Sequence, residues 1–321
     1  MTPLPFSMAL MEFLAEHREP LLTKFFLFMT FLGEVNGYIL IVTLIYVMFD
    51  KSLGVRLAVM LLLTMTLNHV LKILIKNPRP FIREGTYLQK WAVPADYAKE
   101  LATEYSTPSG HAMAAASFYG YLYACVRNWY VRAIAVFAIV FIGLSRPYLG
   151  VHYLEDILIG WPIGLLVAAI AVRYGDGIAA AWNRRSYGVR IAVTVAASAL
   201  LWCATIAING WQIDGEPRAY LGYAGFLTGI VIGGQLELRL VNFDPRSSNI
   251  AAKIARYIIS VGMVILTLEL LGKVNAIMAD NFSLAGYALQ YVRYTTAGVV
   301  SIFVAPLVFT SIGLARKLAR D

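Results

Sequence analysis

Three short polar stretches interrupt an otherwise apolar chain, and each carries residue types that take part in catalysis. The last stretch, residues 145–156, brings Arg146, His152 and Asp156 close together. On a helix His152 and Asp156 share a face, because they are four residues apart. A carboxylate bonded to one ring nitrogen fixes the imidazole tautomer and makes the other nitrogen a better base or nucleophile. The spacing therefore predicts a reactive histidine, with a purely stabilising histidine–carboxylate pair as the alternative.

The first polar stretch, LKILIKNPRPF, contains two cations, Lys72 and Arg79, near the end of an apolar segment. Arginine offers a planar fork of donors and lysine offers a point charge, and the two together suit a phosphate group. Pro78 and Pro80 flank Arg79 and stiffen its backbone. The pattern indicates a polyanion site, and it is equally typical of two cations that reach from a membrane to the water layer.

The middle stretch reads Pro108, Ser109, Gly110, His111 and opens another apolar segment. Ser109 is a natural N-cap, and Gly110 lets the backbone approach a ligand closely. The unpaired amides of a helix N-terminus form an anion site. His111 would lie beside that site, in a position to protonate a leaving oxygen. An ordinary helix cap with an interfacial histidine is the alternative.

Membrane-spanning helices must position these stretches, because the composition is that of a membrane protein. Of the 321 residues, 59% are apolar and 14% are charged, and the mean hydropathy is +0.67. Soluble domains are about half apolar and about a quarter charged. The net charge of +8 comes from Lys and Arg scattered through short loops, so it does not indicate nucleic-acid binding. We therefore expect an all-α, polytopic helical bundle in a membrane.

Nine apolar runs approach the ~20 residues that a helix needs to cross the hydrocarbon layer. They cover residues 21–49, 55–75, 111–126, 131–146, 153–173, 189–208, 219–237, 255–272 and 295–315. A short amphipathic helix over residues 4–17 is predicted to lie in the membrane interface. Pairs of small residues, Gly160 with Gly164 and Gly229 with Gly233, predict close helix packing.

The chain divides into an N-terminal segment at 1–19, a core at 20–173 that holds all three polar stretches, and a four-span extension at 174–321. With nine spans, most of the 27 basic residues fall on the membrane face opposite the polar stretches. Cytoplasmic loops carry the excess of Lys and Arg in membrane proteins. We therefore expect the polar stretches to face away from the cytoplasm.

Together the three stretches resemble the signature motifs of the type-2 phosphatidic acid phosphatase superfamily, which contains membrane lipid phosphate phosphatases and soluble haloperoxidases. Every signature position matches in order and spacing, over roughly residues 20–173: Lys72–x6–Arg79–Pro80, Pro108–Ser109–Gly110–His111 and Ser145–Arg146–x5–His152–x3–Asp156. The resemblance implies hydrolysis of phosphomonoesters or diphosphates through a phosphohistidine, with no metal and no other cofactor.

The same resemblance implies a role for each matching residue. His152 would be the nucleophile, Asp156 its orienting partner, and His111 the acid that protonates the leaving group and then activates water. The phosphoryl oxygens would be held by Lys72, Arg79, Ser109, Gly110 and Arg146. Asn68 and His69, just before the first motif, fit either supports of this site or polar packing within the bundle.

We therefore expect an integral membrane phosphatase that acts on a lipid phosphate or an isoprenyl diphosphate, in a bacterial inner membrane with its site facing the periplasm. Phosphotransfer to another hydroxyl through the same residues stays open, as does a lipid transporter or scaffold that kept the site. The expected partners are the phosphorylated lipid substrate, membrane lipids and a second copy of the chain, with no nucleic acid. The extra spans after the core are similar in outline to the sphingosine-phosphate phosphatase branch.

Overall fold

A computed structural model of the chain describes residues 4–80, 104–211, 215–280 and 283–318. Within these ranges the chain is helical, apart from an isolated β-bridge between Phe243 and Lys317. The helices are α1 (Ala9–Glu16), α2 (Pro20–Leu32), α3 (Val35–Met48), α4 (Lys51–Ile75), α5 (Gly110–Cys125), α6 (Trp129–Tyr148), α7 (Leu154–Asn183), α8 (Tyr187–Ile208), α9 (Gly215–Leu236, continued by a π-helical turn at Glu237–Val241), α10 (Ile250–Met278), α11 (Leu284–Val299, continued by a π-helical turn at Val300–Val304) and α12 (Ala305–Ser311). The predicted all-α class is confirmed for these residues.

Polar side chains fix the starts of several helices where the apolar runs begin. The hydroxyl of Ser109 accepts a hydrogen bond from the amide of Ala112 at the start of α5, as the sequence predicted. Asn128 accepts from two amides in the first turn of α6. The same role falls to Ser186, Asn249 and Ser283 before α8, α10 and α11. Such caps satisfy amides that the first turn leaves without an intrahelical partner.

Seven helices in the described parts of the chain are long and apolar enough to cross a membrane, and the number is eight if α2 and α3 form one broken span. The chain bends by 62° between α2 and α3. The third predicted run, 111–126, forms α5, whose 16 residues fall short of the ~20 needed for a full crossing. An integral membrane bundle is therefore confirmed, but the predicted count of nine spans is not.

The predicted N-terminal helix is present as α1, over Ala9–Glu16 instead of 4–17. Leu14 packs against a buried cluster that includes Tyr148 and Leu149 at the end of α6. Nη2 of Arg18 donates to the carbonyl oxygen of Tyr148 at 2.9 Å. These contacts dock the N-terminal segment onto α6, and its position at a membrane interface stays a prediction.

The chain forms two compact units. The first comprises Met1–Tyr38 and Leu63–Ala179, and the second comprises Ile39–Leu62 and Ala180–Asp321. The first unit contains all three polar stretches. The predicted division at 1–19, 20–173 and 174–321 stays a prediction.

In the first unit, α5 and α7 touch at the level of their backbones. A Cβ added to Gly164 would lie 2.4 Å from the carbonyl oxygen of Met113, so only glycine fits there. This close contact is the one that the pair Gly160 and Gly164 predicted. It joins the start of α5 to a point well inside α7. A separate hydrogen bond, from the amide of Ser109 to the carbonyl oxygen of Asp156 at 3.2 Å, joins the start of α5 to the first turn of α7.

The second unit has a glycine contact of the same kind and a buried ion pair. A Cβ on Gly229 of α9 would lie 2.3 Å from the carbonyl oxygen of Thr295 on α11. Nζ of Lys51 lies 3.0 Å from Oε1 of Glu237, whose residue is 2% exposed. The same ammonium donates to Oδ1 of Asn242 at 3.2 Å. The start of α4 is therefore tied to the π-helical turn after α9.

Candidate active site

His152 and Asp156 meet as their spacing predicted. Nδ1 of His152 lies 3.1 Å from Oδ2 of Asp156, and both side chains are buried. Asp156 stands in the first turn of α7, and His152 lies just before that helix. The short connection between α6 and α7 therefore places the imidazole of His152 beside the carboxylate at the N-terminal end of α7.

Asp156 is held by more donors than the histidine alone. Its Oδ2 accepts from the amide of Tyr153 at 3.0 Å and, in a short hydrogen bond, from the hydroxyl of Ser106. Its Oδ1 accepts from the hydroxyl of Thr107 at 2.5 Å. The motifs did not point to Ser106 or Thr107, although both hydroxyls stand directly before Pro108. They orient the carboxylate that in turn orients His152.

Arg79 contacts the other nitrogen of the imidazole. Its Nη1 lies 2.9 Å from Nε2 of His152 and 3.1 Å from the carbonyl oxygen of Val151. An arginine only donates hydrogen bonds, so the Nε2 that faces it must carry a lone pair. The proton of the neutral ring is then on Nδ1, where it is donated to Asp156. This tautomer leaves Nε2 as the nucleophilic nitrogen.

Lys72 and Arg79 converge as predicted, and a carboxylate that the motifs did not indicate joins them. Oε2 of Glu104 accepts from Nζ of Lys72 at 2.9 Å and from Nη2 of Arg79 at 2.7 Å. Burial alone would raise the pKa of Glu104, but the charges and hydrogen bonds of the two cations lower it to about 2. Glu104 is therefore an ionised carboxylate in the middle of the proposed phosphate site.

The start of α5 lies beside this cluster. Nδ2 of Asn68 donates to the carbonyl oxygen of Pro108 at 3.0 Å, so Asn68 supports the second motif. A Cβ on Gly110 would lie 3.1 Å from Oδ1 of Asn68, which makes this a position of close approach. Nε2 of His111 is buried, and no residue in the described ranges gives it a hydrogen bond. That nitrogen is free to contact a substrate.

Arg146 is fully buried near the end of α6. Its Nη1 donates to the hydroxyl of Thr30 at 2.5 Å, and its carbonyl oxygen accepts from the amide of Val151 at 3.1 Å. These bonds anchor both the guanidinium and the connection that leads to His152. The structure thus brings all the residues singled out in the three motifs into the first unit.

Burial and positive charge hold the pKa of His152 well below its ordinary value. Burial contributes most, followed by the charges of Arg79, Arg146 and Lys72, while Glu104 acts in the opposite direction. The imidazole is therefore neutral at neutral pH. A neutral ring is the form that attacks an electrophile.

In the parts of the chain that the structure describes, no group of three His, Cys, Asp or Glu side chains is placed to hold a metal ion. The expected independence from metal stays a prediction that chelation tests. The polar groups at the site are cations, two histidines and carboxylates that already have partners.

Residues 53–180, which include all three motifs, match the PAP2 superfamily. Residues 221–317 match a second description, the transmembrane extension of PAP2 superfamily phosphatases. The chain belongs to the PAP2 superfamily. The resemblance inferred from the motifs is thus confirmed, and most of the extension after the PAP2 region is also characteristic of the superfamily.

Three curated relatives of this PAP2 chain differ in substrate by name. An undecaprenyl-diphosphatase from Sulfolobus acidocaldarius is 25% identical over 123 residues, which are 38% of this chain and 55% of that protein. Phosphatidylglycerophosphatase B from Bacillus subtilis is 34% identical over 28% of this chain and 51% of that protein. Sphingosine-1-phosphate phosphatase 1 from Rattus norvegicus is 23% identical over 90% of this chain and 72% of that protein. The chain spans about half the length of the first two relatives.

Proposed function

We propose that this PAP2 chain is an integral membrane phosphatase that hydrolyses a lipid phosphate or an isoprenyl diphosphate through a phosphohistidine on His152. The observation that carries the proposal is the position of the His152 ring between Asp156, 3.1 Å from Nδ1, and Arg79, 2.9 Å from Nε2. A neutral imidazole whose Nδ1–H is held by a carboxylate keeps its lone pair on Nε2 and is an activated nucleophile, and Arg79 lies where it can pass from that nitrogen to the phosphate.

In the first step, the lone pair on Nε2 of His152 forms a bond to phosphorus while the bond from phosphorus to the leaving oxygen breaks. His111 must carry a proton when the substrate is bound, and the negative charge of the phosphate favours that imidazolium; His111 gives this proton to the leaving oxygen, so the alcohol or phosphate leaves in protonated form. The ring of His152 gains positive charge as the new bond forms. Asp156 stabilises that charge through the hydrogen bond to Nδ1.

In the second step, His111 takes a proton from a water molecule, and the water oxygen forms a bond to phosphorus. The phosphorus–nitrogen bond breaks, and its electron pair returns to Nε2 of His152. Inorganic phosphate leaves, and both histidines regain their starting protonation. One residue thus serves as acid and then as base, as a two-step hydrolysis requires.

The cations would stabilise the negative charge of the phosphoryl group during its transfer. The charges of Lys72, Arg79 and Arg146 all lower the pKa of His152. We propose that these cations hold the phosphoryl oxygens, together with the amides that follow Ser109 at the start of α5. Fixed donors aimed at developing negative charge are a main source of rate enhancement in phosphoryl transfer. The proposal assigns to these groups the role that a metal ion has in other phosphatases.

Two further observations support the substrate class and the orientation. The names of the three relatives refer to phosphate groups on undecaprenyl, phosphatidylglycerol or sphingosine carriers. A site carried by helices that are long and apolar enough to cross a membrane would have access to such carriers. If all nine apolar runs cross the membrane, the distribution of the 27 basic residues favours a site on the extracytoplasmic face.

The test is phosphate release by the detergent-purified full chain with EDTA present. The panel holds phosphatidic acid, phosphatidylglycerol phosphate, undecaprenyl diphosphate and sphingosine 1-phosphate, with no added acceptor alcohol. We expect at least one of these lipids to release phosphate despite chelation, and the variant His152→Ala to release none. A matched control, Glu155→Gln, removes a charge from the first turn of α7, where Asp156 also lies, and leaves the hydrogen bond between Asp156 and the imidazole in place.

Three results would count against the proposal. Release that disappears with EDTA would contradict metal independence. Equal release by His152→Ala would contradict the nucleophile. Phosphate that appears only on an added acceptor, and not as free phosphate, would indicate phosphotransfer instead of hydrolysis.

A further inference from the structure

The carboxylate of Glu104 lies where the phosphate of the proposed reaction has to bind. One oxygen, Oε2, accepts from Nζ of Lys72 at 2.9 Å and from Nη2 of Arg79 at 2.7 Å. These are the lengths of charge-assisted hydrogen bonds to an anion. The two cations of the first motif therefore already hold one anionic oxygen of the chain itself.

The same guanidinium connects this oxygen to the nucleophile. Nη1 of Arg79 is 2.9 Å from Nε2 of His152, while Nη2 holds Glu104. Arginine binds phosphate through its fork of nitrogens. A phosphoryl group that approaches Nε2 therefore needs the donors that Glu104 occupies, and the two anions compete for one position.

Glu104 is the member of this group that is able to leave. Its side chain is 27% exposed, whereas those of Lys72 and Arg79 are 7% and 1% exposed. Arg79 is also held by the carbonyl oxygens of Val151, at 3.1 Å, and of Glu104 itself, at 3.3 Å. Because this backbone contact is separate from the carboxylate, the side chain can turn to another rotamer while the peptide stays in place.

We propose that Glu104 is an internal competitor of phosphate, which occupies the cation pair in the resting enzyme, yields to the substrate and displaces the inorganic phosphate product. This inference rests on the proposed function, since it assigns Glu104 a part in the same catalytic cycle. Three fixed cations would otherwise retain the product, and product release limits the turnover of many enzymes. With a competing group present, the apparent affinity for phosphate equals the intrinsic affinity multiplied by the fraction of time that the site is open.

Protonation of Glu104 is not what releases it from Lys72 and Arg79. Because the pKa of Glu104 is lowered to about 2, the carboxylate stays charged at any pH used for an assay. Glu104 therefore leaves the cations as a charged carboxylate, without taking up a proton.

If Glu104 had only a structural role, its removal would change the affinity for phosphate in the opposite direction. If the carboxylate only fixes Lys72 and Arg79 in place, its removal leaves two like charges without their shared partner and weakens phosphate binding. If it competes, its removal strengthens phosphate binding. The direction of the change distinguishes the two roles.

The experiment measures the Kd of inorganic phosphate for the detergent-purified full chain by calorimetry, at constant ionic strength and neutral pH. Glu104→Gln should bind phosphate roughly tenfold more tightly than the wild type, if Glu104 fills the site about nine-tenths of the time. In turnover it should show a lower KM, a lower inhibition constant for phosphate, and a lower kcat if product release is limiting. The matched control is Glu155→Gln, since Glu155 accepts from the amide of Ser7 at 3.1 Å. In the described residues no ion pair joins Glu155 to Lys72 or Arg79, so this substitution should change the Kd by about twofold or less.

Glu104→Asp, with a shorter carboxylate, serves as the second variant if Glu104→Gln does not fold, and it too should bind phosphate more tightly than the wild type. Equal or weaker binding by the Glu104 variants would overturn the inference, and so would an equal gain in Glu155→Gln. The proposed function fails separately, through wild-type protein that hydrolyses none of the lipids or through hydrolysis that survives His152→Ala.

Discussion

Replacing Asp156 by Asn tests the tautomer of the nucleophile. The substitution keeps the shape of the side chain but exchanges one acceptor oxygen for a donor. If the amide nitrogen takes the Oδ2 position, it faces the donors Tyr153 N–H and Ser106 O–H and donates to Nδ1 of His152, which moves the ring proton to Nε2. If it takes the Oδ1 position, it faces the hydroxyl of Thr107, and the ring keeps its tautomer. In both cases His152 loses the negative charge beside it.

The distance sets the size of the effect. At 3.1 Å between Nδ1 and Oδ2, two unit charges interact by about 5 kcal/mol at an effective dielectric constant of ~20. Both charges are spread over several atoms, so we take about 4 kcal/mol, which corresponds to a loss of roughly 10³-fold in kcat. The same exchange in the triad of a serine protease costs about 10⁴-fold. We therefore expect kcat for Asp156→Asn to fall by roughly 10³-fold.

The assay is phosphate release in detergent, combined with acid quenching to quantify the phosphohistidine in a single turnover. Asp156→Asn should slow formation of the phosphohistidine, because the first step needs the lone pair on Nε2. Glu155→Gln, one position earlier in the same helical turn, makes the identical chemical change and should keep kcat within a few-fold. A kcat for Asp156→Asn within tenfold of the wild type, in protein with a normal melting temperature, would refute the role given to Asp156.

Three other predictions concern stability and packing. Lys51→Met should lower the free energy of unfolding by about 3–5 kcal/mol, because it leaves the buried charge of Glu237 without its partner; thermal melting in detergent measures this. The low pKa of His152 should make the protein less stable as the pH falls through ~6.5, because the unfolded chain then binds a proton that the folded chain rejects. The melting temperature should therefore fall between about pH 7 and pH 5, and less so in His152→Gln. Gly33→Ala should lower kcat by roughly tenfold or more, because its Cβ would lie 2.6 Å from Cγ2 of Ile142 and 3.0 Å from Cδ2 of His111, and the shift that relieves these contacts would misplace the ring.

Each of these predictions has a matched control. The double variant Lys51→Met with Glu237→Met should recover most of the lost stability, because it removes both charges; no recovery would mean that the ion pair is not the cause. A pH dependence that is unchanged in His152→Gln would assign the effect to other groups. Gly175→Ala adds a methyl group where no atom lies within 4 Å, so it should leave kcat unchanged. An equal loss there would contradict the steric explanation for Gly33.

The helices and the motif residues could be predicted from the sequence because both depend on local pattern. Apolar runs of membrane length and capping residues such as Ser109 and Asn128 determine where helices begin. The four-residue spacing of His152 and Asp156 keeps the two residues close along the chain, although His152 precedes α7 and does not share its face. Length alone was a weaker guide, since α5 is shorter than a full span and the first run is bent by 62°. The contact of Gly33 with α5 and α6, beside this bend, is a tertiary contact that no local pattern contains.

The residues that the sequence did not reveal are those whose roles depend on distant partners. Ser106 and Thr107 donate to Asp156 across separations of 50 and 49 residues. A hydroxyl pair before a proline is typical of any turn, and nothing local shows which carboxylate it will meet. Glu104 was missed for a different reason, because an acidic residue in a polar loop is normally solvated. Only its contacts with Lys72 and Arg79 in the structure indicate that Glu104 is part of the candidate site.

The three motifs are bonded to one another independently of any substrate. The second motif is joined to the third by Ser109, whose amide donates to the carbonyl oxygen of Asp156, and the first is joined to the third by Arg79, which donates to the carbonyl oxygen of Val151. Catalysis by fixed charges requires such an arrangement, because donors that must reorganise during the reaction lose much of their effect. Among the described residues, the carboxylate of Glu104 is held by both Lys72 and Arg79. If phosphate binds to these two cations as we propose, it replaces one anion by another, and the helices that carry the site can stay where they are.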